Sequence, residues 1–279
     1  DAGGSLIGVP NGFTLGQVVQ VDGNGKPLLA DNGGPTQTIA LVPGSPAINA
    51  GDNSLAVDAN NQPFTTDQRG APFTRLSGVV DIGAYEAQSL SLVVDTAVDE
   101  NDGNYAPGDL SLREAIALAN ANPGADTITF GDGSASGGTN FLDAAADTIT
   151  LGGSRLDLTT GPITITGPGA DLLTIDGNNA SRIFYVDSGV SATLAGLTLT
   201  RGYAPLSNGG AILSDGDLTV LQSAIRGNSA NYGGGIFANG SVTVTQSTVS
   251  GNSTGGDGGG IFGEGSMTVT QSTVSENTA

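Results

Sequence analysis

The sequence contains no cysteine, no histidine and no tryptophan. Without cysteine there are no disulfides and no thiol nucleophiles, and without histidine there is no Ser-His-Asp triad. The same two absences exclude the zinc sites that proteins build from Cys and His. A chain without cysteine fits a reducing cytosol and equally a bacterial surface protein that lacks disulfides. Composition therefore removes several classes of enzyme and leaves the compartment open.

Positive charge is also scarce. Eight Lys and Arg residues stand against 27 Asp and Glu residues, which gives 8 − 27 = −19. Because such a chain repels the phosphate backbone, we expect no nucleic-acid partner. No run of about 18 apolar residues is present, and residues 1–4 lack the basic and apolar regions of a signal peptide. We expect no membrane span, and we expect any export signal to lie outside this sequence.

Glycine is abundant, with 46 of 279 residues, and much of it belongs to an internal repeat. Three segments align, 209–228, 233–252 and 258–277, with spacings of 24 and then 25 residues. Each contains an apolar-Thr-apolar run such as 218–220, which has the two-residue period of a β-strand. A second apolar run and the Gly-Gly-(Ala/Gly)-Ile stretch supply two further short strands. Each repeat is therefore predicted to be a small coil of three strands and turns.

A coil of this size cannot bury its apolar face alone, so neighbouring coils must stack. The predicted product is an all-β parallel solenoid with coils of about 24 residues, in which equivalent residues lie about 4.8 Å apart. The register predicts two structural ladders of amide side chains. They comprise Asn228, Asn252 and Asn277, and Gln222, Gln246 and Gln271. The turns at Asp215-Gly216, Asn239-Gly240 and Glu264-Gly265 are expected to need a left-handed backbone.

Weaker copies of the strand pattern extend the repeat toward the N-terminus. They comprise residues 148–151, 163–165, 173–175, 183–186 and 194–199. The solenoid is therefore expected to begin near Asp126.

A single helix is predicted over residues 111–120. Ser111 and Glu114 fit a capping box, and Leu112 and Ile116 fall on one apolar face. An open solenoid end exposes strand edges and apolar core, so we interpret this helix as a cap over the first coil.

Residues 1–89 have a different composition. Turn-rich stretches such as 31–35 and 43–46 alternate with short apolar runs at 18–21, 39–42 and 79–80. The runs predict short strands joined by loops, and residues 87–89 form a plausible linker to the next unit.

Two parts of the chain resemble known bacterial modules. The runs DLSLREA (109–115) and DTITF (126–130) resemble the CSLREA domain, which precedes β-helical repeats in large exported proteins. The runs DNGGPTQT (31–38), PGSPAINAGD (43–52), TDQRG (66–70) and VDIGAYE (80–86) resemble the choice-of-anchor Q module, which commonly closes such β-helices. The Gly-Gly-(Ala/Gly)-Ile and Gly-Asn-Ser repeats are similar to those of polymorphic outer-membrane passenger proteins.

These resemblances imply a right-handed parallel β-helix with one capping α-helix. They also imply three parts: a closing module of a preceding β-helix (1–89), an N-terminal cap (90–125) and β-helix coils (126–279). We interpret the chain as a segment that spans the junction between two tandem β-helices of a longer protein.

The segment 95–109 carries five acidic residues and no basic one. Calcium binds several carboxylate and amide oxygens, so Asp99, Asp102, Asn104 and Asp109 are candidate ligands. The spacing fails the EF-hand pattern, which needs a Glu at position twelve. A solvated acidic loop is the favoured alternative. No other cofactor is expected.

Two carboxylates could serve glycoside hydrolysis. Asp215 and Glu264 occupy equivalent turns two coils apart, about 10 Å by the strand spacing, and inverting enzymes separate their carboxylates by roughly 6.5–9.5 Å. However, Asn239 stands between them, and acidic residues are common beside glycine in turns. For lyase chemistry, Arg201 and Arg226 would have to act as bases near Asp217, and arginine is a poor base at neutral pH. We therefore assign no catalytic residue.

The leading hypothesis is a non-enzymatic structural or adhesive segment of a secreted or cell-surface protein, built as a stiff acidic rod. The alternative is a carbohydrate-active β-helix enzyme, either a polysaccharide lyase or a glycoside hydrolase. Expected partners are further copies of the chain, bound head to tail, and surface glycans or other cell-envelope components.

Overall fold

Short parallel strands form most of the fold. The computed structural model describes residues 14–42, 45–48, 50–70, 73–75, 79–87, 89–122, 124–134 and 137–279. The first 13 residues of the predicted closing module lie outside these ranges, as do Pro43, Gly44, Asn49 and Gln88 of the motifs above. Contacts divide the chain into two units, Asp1–Leu90 with Leu118–Ala125 and Ser91–Ala117 with Asp126–Ala279.

The first unit contains short elements joined by turns. Its regular elements are two 3₁₀ helices, Leu15–Gln17 and Asn53–Leu55, and two strands, β1 (Leu29–Ala30) and β2 (Thr38–Ile39). The two strands pair antiparallel.

The strands predicted for this unit are mostly reduced to isolated bridges. Val19 bridges Leu41, and Val21 bridges Pro27. Residues 79–80 form no strand.

Two hairpin turns in the first unit share one sequence pattern, Val-Asp-x-Asn-x-x-Pro. In the turn that follows Val21, Asp22 Oδ1 accepts the N–H groups of Asn24 (2.8 Å) and Lys26 (3.0 Å). In the second turn, Asp58 Oδ1 accepts the N–H groups of Asn60 and Gln62, both at 2.8 Å. The residues between these donors, Gly25 and Asn61, have φ of 74° and 60°. The carboxylate of the aspartate thus closes each turn, and this repeat was missed in the sequence.

A buried arginine lies at the centre of the first unit. The guanidinium carbon of Arg69 lies 3.7 Å from the ring centroids of both Phe73 and Tyr85. Its Nε and Nη2 donate to Asp67 Oδ2 at 2.9 and 2.7 Å, and Nη2 also donates to the carbonyl of Glu86 at 2.7 Å. The arginine side chain is fully buried, so ion pairing and ring stacking replace its hydration.

The second unit consists of one α-helix and many short strands. The helix α1 spans Leu112–Asn120. The strands are β3 (Ser91–Val94), β4 (Asp126–Phe130), β5 (Asp147–Thr150), β6 (Leu156–Leu158), β7 (Pro162–Thr166), β8 (Leu173–Asp176), β9 (Phe184–Val186), β10 (Ser191–Ala195), β11 (Thr198–Thr200), β12 (Tyr203–Asn208), β13 (Ile212–Ser214), β14 (Asp217–Leu221), β15 (Ala224–Arg226), β16 (Ser229–Tyr232), β17 (Ile236–Ala238), β18 (Val242–Thr245), β19 (Thr248–Ser250), β20 (Ser253–Thr254), β21 (Ile261–Gly263), β22 (Met267–Thr270) and β23 (Thr273–Ser275).

These strands stack into four parallel sheets. The seven-stranded sheet has the order β22-β18-β14-β10-β7-β4-β3, and the six-stranded sheet the order β23-β19-β15-β11-β8-β5. The five-stranded sheet has the order β21-β17-β13-β9-β6, and the three-stranded sheet the order β12-β16-β20. Leu218 pairs with Val242 and Val242 with Met267, so each coil spans one sequence repeat. The predicted parallel β-solenoid is confirmed.

Aliphatic columns fill the solenoid interior. Ile165, Leu194, Val220 and Val244 are neighbours in register and are at most 1 % exposed. Threonines alternate with them along the strands, as the two-residue period predicted. Burial of these columns supplies the main driving force for stacking.

The seven-stranded sheet begins earlier than Asp126. Strand β3 pairs in parallel with β4, with Ser91 opposite Thr127. Residues of the predicted cap segment therefore also supply the first strand of this sheet, and α1 follows that strand in the chain.

The predicted capping box at the start of α1 is present. Ser111 Oγ accepts the N–H of Glu114, and Glu114 Oε2 accepts the N–H of Ser111, both at 3.1 Å. Leu112 and Ile116 are buried, as the apolar face predicted. Among the described residues, no helix reaches the length and hydrophobicity required to cross a membrane.

The turn glycines serve a different purpose from the one predicted. Gly216, Gly240 and Gly265 do not have a left-handed backbone. A Cβ added at Gly240 would instead overlap the carbonyl oxygen of Gly216, and one added at Gly265 would overlap that of Gly240. These glycines are needed because successive coils approach too closely for a side chain.

Candidate functional site

The acidic loop 95–109 is held by its own carboxylates. Asp95 accepts the N–H groups of Gly108 and Leu110, both at 2.7 Å. Glu114 Oε1 accepts the N–H groups of Asp102 (3.1 Å) and Gly103 (3.0 Å). Part of the negative charge therefore orders the backbone of the loop.

The four candidate calcium ligands do not form one cluster. Asp99 binds the guanidinium of Arg113 at 2.8 Å and accepts the N–H of Gly152 at 2.7 Å. Asn104 Nδ2 donates to Asp109, and Asp102 Oδ1 accepts the N–H of Asn104 at 2.8 Å. The described residues contain no group of three or more acidic side chains that could hold a metal ion.

Nearby carboxylates still interact across the loop. Partial desolvation, together with the charges of Asp109, Asp102 and Glu114, raises the pKa of Glu100 above its usual value. Calcium binding at this loop stays a prediction. If calcium binds here, a chelator should lower the melting temperature of the chain and added calcium should restore it.

The asparagine ladder joins three coils. Asn252 Oδ1 accepts the N–H (3.0 Å) and Nδ2 (2.9 Å) of Asn228, and Asn277 Oδ1 accepts the same two groups of Asn252 at the same distances. Asn252 Nδ2 also donates to the carbonyl of Ile225 at 2.9 Å. Asn228 Oδ1 accepts the N–H of Gly202 at 2.7 Å. Because Asn228 and Asn252 are buried, the ladder satisfies polar groups that water does not reach.

A serine ladder lies where the sequence predicted a glutamine ladder. Ser247 Oγ accepts the N–H of Ser223 at 3.1 Å and donates to the carbonyl of Thr245 at 2.8 Å. Ser272 Oγ accepts the N–H of Ser247 at 3.0 Å. Ser223 and Ser247 are both buried.

The glutamines precede these serines and occupy exposed corners. Gln222, Gln246 and Gln271 have φ of 48°, 50° and 50°. Within the described ranges, no side-chain hydrogen bond joins one glutamine to the next. The pairs Gln-Ser repeat together in the sequence, so the register alone could not tell which member faces inward.

The outer face of the five-stranded sheet carries an apolar column. Its members are Tyr185 on β9, Leu213 on β13, Phe237 on β17 and Phe262 on β21, which pair in register. The rings of Phe237 and Phe262 are stacked, with centroids 5.1 Å apart. Tyr232 lies beside Phe262, with centroids 6.0 Å apart, and is 37 % exposed. The alternation of the strands therefore places large apolar side chains outside the core.

A polar column follows directly after the same strands. Its members are Asp187, Asp215, Asn239 and Glu264. The N–H of Asn239 donates to Ser214 on the preceding coil, and the N–H of Glu264 donates to Ala238, which keeps these turns in register. The two columns thus run side by side along the solenoid.

Tyr185 connects the two columns. Its hydroxyl donates to Asp215 Oδ2 at 2.6 Å, and the guanidinium carbon of Arg155 lies 4.4 Å from its ring centroid. Asn239 Nδ2 donates to the other oxygen of Asp215 at 2.5 Å. The hydrogen bond to Asp215, with desolvation, raises the pKa of Tyr185 to about 12. The phenol therefore stays protonated at neutral pH and is a poor general base.

Two of the residues considered for catalysis, Asp215 and Arg201, have structural partners. Both oxygens of Asp215 accept hydrogen bonds, from Tyr185 and Asn239. Arg201 forms an ion pair with Asp176, and this hydrogen-bonded partner raises the pKa of Arg201 above its usual value. The pairing makes Arg201 a still poorer base than free arginine.

The parallel strand register, the asparagine and serine ladders and the buried aliphatic columns together define a parallel β-solenoid. Comparison of the sequence with models of known protein families gave no match. Comparisons with curated proteins and with solved structures also gave no match. Information on the function of this chain therefore comes from its own sequence and contacts.

Proposed function

We propose that this chain is a non-enzymatic structural or adhesive segment of an extracellular bacterial surface protein. The solenoid serves in it as a stiff acidic rod. The resemblance of residues 31–86 and 92–130 to modules of exported β-helical proteins supports the location and the modular organisation.

One observation carries the proposal. The carboxylate of Asp215 is held by Tyr185 and Asn239 on the two neighbouring coils. An acid–base pair for glycoside cleavage requires two carboxylates in different environments, one of them with a raised pKa. A carboxylate that is held by side chains of both neighbouring coils is instead typical of a supporting surface.

Head-to-tail self-association belongs to the same proposal. Val269 on β22 and Val274 on β23 pair in register with Val244 and Val249, and a charge at either position would face a further stacked coil. Light scattering over a range of protein concentrations checks the association. Charged substitutions at Val269 and Val274 should abolish it, and a monomer at every concentration in the unmodified chain would contradict it.

Cleavage assays test the non-enzymatic role. The full chain is incubated with neutral and acidic polysaccharides, and new reducing ends and unsaturated products are measured. We expect neither product above the level of the buffer. Product formation that is lost in Asp215→Asn and Glu264→Gln would replace the proposal with a carbohydrate-active enzyme.

A further inference from the structure

We propose that the apolar and polar columns of the five-stranded sheet together bind a neutral, linear polysaccharide that lies along the solenoid axis. This inference deepens the adhesive role proposed above and rests on it. The ligand class follows from the chemistry and the direction of the two columns.

The apolar column offers surfaces that match sugar rings. A pyranose ring has a face of C–H groups, which packs on aromatic and aliphatic side chains, and hydroxyl groups around its edge. Leu213 and Phe262 are partly exposed, and the ring of Phe262 stacks on that of Phe237 in the neighbouring coil, which is only 4 % exposed. Tyr232 extends the surface beside Phe262. The accessible part of the column is therefore Tyr185, Leu213 and Phe262, with Tyr232 beside it.

The polar column offers hydrogen-bond acceptors beside that platform. Asn239 and Glu264 are exposed and Asp187 is partly exposed, whereas Asp215 already accepts hydrogen bonds from Tyr185 and Asn239. Carboxylates accept charge-assisted hydrogen bonds from hydroxyl groups, which every sugar unit supplies at its edge. The apolar column can therefore contact the C–H face of a sugar ring, while the polar column accepts hydrogen bonds from the hydroxyl groups at the edge of the same ring.

The direction of the columns indicates a polymer. Four members at about 4.8 Å spacing give a surface about 14 Å long, which exceeds a single sugar ring. Both columns follow this axis because they arise from register between coils. A linear chain can meet equivalent groups on successive coils, whereas a compact ligand would meet only one or two.

Charge and backbone geometry exclude two other occupants. The polar column has three carboxylates and one amide, and the chain has a net charge of −19, so an anionic polysaccharide is repelled. An added peptide strand would need free backbone groups, and the N–H and C=O groups within the sheet are used between coils. A neutral glycan needs neither positive charge nor a free strand edge.

Affinity electrophoresis of the full chain in gels that contain a soluble polysaccharide tests this inference. The probes are hydroxyethylcellulose, mannan and laminarin as neutral polymers, polygalacturonate as a polyanion and polylysine as a polycation. We expect retardation by at least one neutral polymer and none by polygalacturonate. Phe262→Ala and Tyr232→Ala should each weaken that retardation about tenfold or more, which corresponds to about 1.4 kcal/mol.

Two exposed residues provide matched controls. Tyr105→Ala removes a tyrosine of similar exposure from the acidic loop, and Val93→Ala changes the outer face of the seven-stranded sheet. Both should bind like the unmodified chain. Circular dichroism melts show that each variant is folded, and Glu264→Gln, at an exposed turn, tests the polar column without removing a packed ring.

Two outcomes would overturn the inference: no retardation by any neutral polymer, or equal binding by the Phe262→Ala and Tyr232→Ala variants. Retardation by polylysine is expected from the net charge of −19 alone and serves as the positive control for the gel. If the unmodified chain neither binds nor cleaves any neutral polymer, the glycan-binding inference is wrong and the structural role proposed above still stands. Cleavage of the bound polymer would instead refute the non-enzymatic role itself.

Discussion

The two units of this chain satisfy their buried polar groups in different ways. In the solenoid, one solution is repeated, since Asn228 and Asn252 each make the same contacts one coil apart. In the first unit, Arg69 makes a single network with Asp67 and Glu86 between two rings. A repeated solution can lose one member and keep its neighbours, whereas a single network has no substitute.

This difference predicts the largest loss of stability at Arg69. In Arg69→Leu, the buried carboxylate of Asp67 loses its counter-charge, and the free energy of unfolding should fall by about 3–5 kcal/mol. Denaturant unfolding measures the change. Arg75→Leu is the matched control, because Arg75 is partly exposed and pairs with Glu86 at the longer distance of 3.5 Å. Equal losses in the two variants would show that the Arg69 network is not special.

The middle of the asparagine ladder should be the most sensitive position in the solenoid. In Asn252→Ala, the N–H and Nδ2 of Asn228 and the carbonyl of Ile225 lose their partner, which should cost about 3 kcal/mol. Asn277→Ala should cost about 1 kcal/mol, because Asn277 is partly exposed and water can replace it. The ladder interpretation predicts this ranking, and a reversed ranking in thermal melts would contradict it.

A smaller effect on stability tests which residue of each Gln-Ser pair forms the ladder between coils. Ser247→Ala should destabilise by about 1–2 kcal/mol, since the N–H of Ser223 and the carbonyl of Thr245 lose a buried partner. Gln246→Ala should stay within about 0.5 kcal/mol, because its side chain is exposed and alanine meets the same backbone strain at φ of 50°. If Gln246→Ala proves the more damaging change, the glutamine ladder predicted from the sequence is restored.

How far the sequence predicts this structure depends on repetition. The nearly equal spacing of Leu218, Val242 and Met267 predicts the coil length, the strands and the parallel register, because stacked repeats must align. The asparagines could be placed for the same reason. Repetition could not decide between Gln246 and Ser247, since both repeat. The deciding feature is the left-handed corner, which turns the following residue inward.

The same rule applies to the asparagines. Asn228 follows Gly227 at φ of 63°, and Asn252 follows Gly251 at φ of 61°. In the first unit no such rule exists. Asp67, Arg69 and Glu86 come from motifs that resemble one module, yet their mutual contacts depend on a chain path that no local pattern specifies. The columns of the candidate glycan site were missed because strand alternation was used only to find the core.

The smallest predicted effect concerns the paired hairpin turns of the first unit. Backbone hydrogen bonds lower the pKa of Asp22, with Lys26 the largest cause, and lower that of Asp58, with Gln62 the largest cause. A carboxyl whose folded pKa lies below its unfolded value stabilises the fold above the unfolded value, near 3.8, and this contribution is lost as the pH falls through the folded pKa. Acidification below pH 3.8 should therefore loosen both turns together. Amide exchange of Asn24, Lys26, Asn60 and Gln62 measures this, and Asp22→Asn should remove the pH response of the first turn while the second keeps it. The second turn thus serves as the internal control, and a response that persists at Lys26 in that variant would place the titrating group elsewhere.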